Sequence, residues 1–241
     1  MYDPANFSLR DMTNCGAALR QSGRGAPNME TVANRTVGYL YEHLTNSQTG
    51  ERACALVRFF KTHAFQALEP DLQKFALQML DDVTLSPSIK CLTLLATAGD
   101  EPAWNARDQS IHHRAVPLPS DDIVARFPMI SQLIRQFGLD TGKVLEPDER
   151  FLLDQAQTTY NVFHVFQAQG SPIIPAQSDF VIPYGIRSVL GFGGVLPDGD
   201  LFATILFSQI TISRESAEMF RPLALSVKVA LLDLASEAVF A

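Results

Sequence analysis

Two apolar runs, Ser188–Leu196 and Leu201–Ser208, are separated only by Pro197-Asp198-Gly199-Asp200. Strand-length runs rich in Val, Leu, Ile and Phe, joined by a Pro-Asp-Gly-Asp turn, read as an antiparallel β-hairpin. The rest of the chain has to supply partners for that hairpin, and its periodicity shows which. Met29, Val32, Ala33, Thr36, Val37, Leu40 and Leu44 draw one wide apolar stripe along a helix with Asn28 as its N-cap, the pattern of a helix lying on a sheet. Ahead of it, Leu9, Met12, Gly16 and Leu19 mark the narrow seam of a shorter helix, broken by Ser22–Pro27.

Strand signals recur at Ala53–Phe60 and Lys90–Thr97, the second closed by Gly99-Asp100, with a third helix expected over Pro70–Leu80 between them. Residues 100–120 read as a loop. The spacing of Ile123, Val124, Phe127, Ile130, Leu133, Ile134 and Phe137 predicts a helix from Asp121 to Phe137, with Pro128 kinking it. Residues 138–150 are turn-rich, and Thr158–Phe166 suits a strand ended by Gly170-Ser171-Pro172. After Ser213, an N-cap followed by Glu215, the chain turns helical, with Pro222 either kinking or starting the helix. One face carries Phe220, Leu223, Val227, Leu231, Leu234 and Ala238; a second carries Leu225, Val229, Leu232 and Val239. A helix apolar on two sides must bury both, so one face is expected on the sheet and the other on a partner.

Composition narrows the function classes. Of 241 residues 46% are apolar and 19% charged, which excludes disorder. Nineteen Lys and Arg against 26 Asp and Glu leave a net charge of −7, unsuited to non-specific nucleic-acid binding. No apolar run reaches a membrane-spanning length, and the polar start is no signal peptide, so no membrane association is expected. Three cysteines, Cys15, Cys54 and Cys91, suit a reducing cytoplasm better than a disulfide framework. Cys-x-x-Cys, His-Glu-x-x-His, Walker-type Gly-Lys-Ser/Thr and Gly-x-Ser-x-Gly sequences are all missing. Gly191-Phe192-Gly193-Gly194 lacks the third glycine of a dinucleotide loop and is followed by Val195-Leu196-Pro197 rather than a helix start.

The order of elements carries a resemblance. An amphipathic helix, a strand ending in a turn, a long middle, a hairpin and a closing amphipathic helix together resemble a GAF domain. The stretch Pro183-Tyr184-Gly185-Ile186-Arg187-Ser188-Val189-Leu190, the Pro197–Asp200 turn, the return strand Leu201–Ser208 and Leu92–Gly99 carry the likeness most specifically. It covers about residues 28–100 and 158–240; residues 101–157 depart from it and read as an atypical insertion or lid, and residues 1–27 as an N-terminal helix and linker.

The resemblance implies an α+β fold of GAF/PAS type, an antiparallel sheet flanked by helices with the N- and C-terminal helices packed together. It further implies a non-catalytic regulatory sensor of a bacterial signalling protein, in a two-component system, for example ahead of a histidine kinase. A small molecule would sit in the cup between sheet and loops, and a homodimer would pass the signal through Leu9, Met12, Leu19, Leu225, Val229, Leu232 and Val239. The closing helix still carries an apolar face at Ala241, which suggests a sensory region of a longer protein.

Candidate ligand contacts each have a plainer structural reading beside them. His164 could touch a ligand or serve as a hydrogen-bonded structural histidine. Arg187 and Ser188 enter the hairpin strand, where Arg could pair with an anion or anchor the loop. Tyr184 and Phe192 are candidates for an aromatic wall or simple core, and Trp104 for a pocket cap or simple burial. His112 and His113 are adjacent, and with no acid or cysteine at ligand spacing no metal is expected. The sequence leaves the cofactor unknown. Two alternatives to the sensor stand: a ligand-free dimerisation or interaction module, and a thiol redox enzyme, against which the apolar settings of all three cysteines weigh.

Overall fold

A computed structural model describes residues 1–80, 85–110, 113–145, 161–232, 234 and 239–240. Its centre is a six-stranded, wholly antiparallel sheet in the order β3-β2-β1-β6-β5-β4. The strands are β1 Cys54–Ala64, β2 Lys90–Gly99, β3 Ala115–Pro117, β4 Phe163–Val165, β5 Ser188–Val195 and β6 Leu201–Ser208. The helices are α1 Leu9–Gln21, α2 Met29–His43, α3 Pro70–Gln78, α4 Asp121–Ala125, α5 Pro128–Gln136, α6 Thr141–Leu145, α7 Arg214–Glu218 and α8 Leu223–Leu232. The fold is therefore α+β, as the sequence pattern implies.

Local chemistry explains most boundaries. The hairpin β5–β6 closes on Gly199, whose φ of +83° a side chain would resist, while Asp198 Oδ1 accepts from the Asp200 N–H at 2.9 Å. Asn28 caps α2 by accepting from Thr31 N–H at 2.8 Å. Ser8 and Asp11 form a reciprocal capping box at the start of α1. The helix expected over 121–137 is two helices, because Pro128 occupies the first turn of α5, where a missing N–H costs nothing. The closing helix is likewise divided into α7 and α8 around Pro222, with Ser213 capping α7.

The segment read as a loop over 100–120 contributes an edge strand. Ala115–Pro117 pairs with Thr93–Cys91, and Pro117 is tolerated because an edge strand needs no donor on its open side. Three residues with a proline carry too little alternation to announce a strand. The expected strand over 158–166 is observed only at Phe163–Val165, and residues 158–160 lie outside the described residues.

Each face of the sheet has its own apolar core. On the helical face, α2 lies over β1 and β2, α8 lies over β5, and α1 packs against α8. The other face is covered by the chain from Val116 to Leu145 and from Ala168 to Ile186, which buries Val124, Leu133, Ile134 and Val181 against Leu94, Val189 and Ile205. The atypical middle thus supplies both a strand and much of this cover. The terminal helices run side by side in the same direction: Gly16 faces Leu223 and Ser226, and Gly23 faces Ala230.

Candidate functional site on the covered face

β1 is apolar from Cys54 to Phe60 except at Arg58, and alternation sends Val57 and Phe59 to the helical face. Arg58, between them, projects to the covered face. Its partners in register are Thr97 on β2 and Ile205 on β6. Arg58 Nη2 donates to Ser110 Oγ at 3.2 Å, while its Nε is buried with no hydrogen-bond partner. Among the described residues no carboxylate pairs with this guanidinium. Burial alone pulls its pKa down to about 10. Thr97, directly opposite, is 5% exposed and its Oγ1 is also unpartnered. Arginine rarely lies under cover without a counter-ion, and here two cross-strand polar atoms on one face lack partners among the described residues, as do Arg114 Nε and both His63 nitrogens elsewhere.

An aromatic group stands at the end of β2 beside this pair. Trp104 lies 4.5 Å from the Tyr184 ring and 5.5 Å from Phe180, and Phe180 meets Phe207 edge-on at 5.0 Å. Tyr184 OH donates to Glu101 Oε1 at 3.2 Å. A Cβ at Gly99 would come within 2.8 Å of the indole and 3.0 Å of Leu56, so glycine is what lets Trp104 lie against the strand end. Of the residues singled out from the sequence, the fold brings together Trp104 and Tyr184.

The others lie elsewhere. His164 and Ser188 point to the helical side and hold one residue between them: His164 Nε2 is 2.9 Å from the Ile212 carbonyl, and Ser188 Oγ accepts from the Ile212 N–H at 2.9 Å. Burial lowers the His164 pKa, which favours the neutral ring. Phe192 packs in the helical-face core, 6.4 Å from Phe220. Arg187 and His113 are exposed, and His112 lies outside the described residues. Arg58 and Thr97 were not among the sequence candidates. The signal available was a lone charge inside Ala53–Phe60.

Two further polar features are built differently. At the end of the hairpin, Asp200 bonds to the ammonium groups of both Lys61 and Lys90, and Lys61 is 2% exposed. Burial would raise the Asp200 carboxyl, but the two cations hold it below its ordinary value. An open groove of about 640 Å³ lies between α2, the start of α3 and residues 105–108; there Arg107 is neutralised by Glu30 at 2.6 Å and Glu69 at 3.0 Å. Burial pushes the thiols of Cys15, Cys54 and Cys91 up to about 12, leaving them protonated and weakly nucleophilic. Among the described residues no group of three or more His, Cys, Asp or Glu could hold a metal ion, and no helix is long and apolar enough to cross a membrane.

Compared with models of known families and with curated proteins, the chain matches none.

Proposed function

We propose that this chain is a GAF-like regulatory sensor module of a bacterial signalling protein, non-catalytic and cytoplasmic, which dimerises through its terminal helices and takes a small molecule on the covered face of its sheet. The observation that carries the reading is the two-sided α8. Leu223, Val227 and Leu231 are buried in the core, while Leu225, Val229 and Leu232 are 66%, 42% and 40% exposed on the other side. These three positions, spaced i, i+4 and i+7, make a continuous apolar row. A surface helix of a monomer has no use for such a row, and a second copy of the same helix would cover it by self-complementary packing. Leu9 on α1 is also bare, whereas Leu19 is buried and Met12 and Val239 are partly so. The dimer surface therefore centres on α8, with Leu9 the one α1 residue of the expected set left open. In support of the reading, a helix, a strand, the hairpin and closing helices follow one another in the chain, with β3 and three short helices added in the middle. The output, such as a histidine kinase, would be carried by another domain.

Native mass spectrometry tests this reading. A dimer is expected, and Leu225→Glu combined with Val229→Glu should return it to monomer with the fold intact by circular dichroism. A wild-type protein that stays monomeric at high concentration refutes it.

A second reading, a ligand-free interaction module, draws on the dense apolar filling of the covered face. It predicts the same dimer and no small molecule that raises the melting temperature. The thiol-enzyme reading is the weakest, because every cysteine is buried and protonated.

A further inference from the structure

We infer that the covered face holds a site for the carboxylate of a small organic acid, with Arg58 as its counter-ion and Thr97 Oγ1 as a second donor. This inference rests on the sensor reading and specifies the ligand for that face. The half-buried Arg58 guanidinium has lost part of its water at Nε and, among the described residues, receives a neutral hydroxyl from Ser110 rather than a carboxylate in exchange. Among the described residues its Nε has no partner, and neither has the hydroxyl of Thr97 across the ladder. Side chains paired in register on one face of an antiparallel sheet stand about 5 Å apart, close enough for both donors to meet one oxygen-bearing group.

The chemistry of the surroundings selects the class of acid. One cation with no paired charge among the described residues matches one negative charge; a phosphate dianion would leave charge uncompensated in a poorly solvated layer. A carboxylate also fits the planar edge of a guanidinium, accepting from Nε and one Nη together. Leu56, Phe60 and Ile205 surround Arg58 on the same face, so the body of the acid should be apolar. Asp100 and Glu101, the two acids that follow β2, accept from the hydroxyls of Tyr41 and Tyr184 and not from Arg58.

Calorimetric titration of the full chain with butyrate and benzoate tests the inference, with benzamide and inorganic phosphate as controls. Fluorescence of Trp104, the only tryptophan, gives a second readout. At least one carboxylate should bind and benzamide should not. Arg58→Met should weaken that carboxylate by about tenfold to a hundredfold, and Thr97→Val by about tenfold or less. Arg58→Met also removes a half-buried charge that has no paired carboxylate among the described residues, so the variant should fold and melt no lower than the wild type in the absence of ligand. Carboxylates that bind neither protein, phosphate that binds in their place, or unchanged affinity in Arg58→Met would each overturn it. So would a large loss of stability in Arg58→Met, because the guanidinium would then be satisfied within the fold. Dimer formation is measured separately: a dimer that ignores carboxylates removes this inference alone, and a monomer removes the sensor reading.

Discussion

Acid should unfold this protein earlier than its carboxylates require, and His63 is the reason. The residue sits on β1, 4% exposed, opposite Cys91 on β2 and 5.6 Å from the Phe240 ring. Neither ring nitrogen makes a well-formed hydrogen bond. Burial, reinforced by the Lys61 ammonium and then Lys90, and only partly opposed by Asp200, brings its pKa down to about 3. In the unfolded chain an imidazole titrates near 6.5, so between these values the unfolded state binds the proton and the folded state does not. Above about pH 6.5 the group contributes nothing to the pH dependence; below it, stability falls with each step of acid. With these two values the linkage relation gives a loss of about 2.5 kcal/mol between about pH 7 and pH 4.5. Urea unfolding of wild type and His63→Met across that range isolates the effect, since the other histidines and carboxylates are shared. The variant should be at least as stable at neutral pH and lose about 2.5 kcal/mol less on acidification. Equal losses in the two proteins would refute the reasoning, because they would mean that His63 is protonated or hydrated within the fold.

Two substitutions probe other joints of the structure. Asp200→Asn leaves buried Lys61 beside Lys90 with only the more distant Asp198 carboxylate at 3.9 Å, and should cost about 3 kcal/mol in urea unfolding, partly recovered by adding Lys61→Met. Gly23→Ala places a methyl group against the Ala230 carbonyl and main chain, forcing α1 away from α8; the melting temperature should fall by several degrees, whereas alanine at exposed Gly170 should act through its backbone conformation alone.

The fold was legible wherever a residue's local role agreed with its place in the whole. Asn28, Ser213 and Pro197–Asp200 act through neighbours within a few residues, so caps and turn could be read directly. Pro128 was seen as a disturbance, but whether a proline kinks a helix or begins a new one depends on what packs beneath it. β3 was missed because an edge strand is defined by its partner, Cys91–Thr93, and three residues have no period of their own. The candidate site was read less well for a related reason. His164, Ser188 and Phe192 draw the eye by residue type, yet alternation along β4 and β5 sends all three to the helical side. Finding Arg58 required knowing that β1 is central and has a covered second face, and that among the described residues no acid pairs with it.

Ile212 has a consequence for how the sheet and the closing helices are indexed to one another. Both its backbone groups are taken, the carbonyl by His164 on β4 and the N–H by Ser188 on β5, and its side chain is fully buried. The next residue, Ser213, caps α7. The helical phase is therefore set at a single residue by two strands of the sheet, as a keyed shaft is set by its slot. One residue inserted between Ile212 and Ser213 would advance the phase of α7 by about 100° and turn the buried Ala217 out of the core, so the seating of α7 on the sheet depends on that one junction.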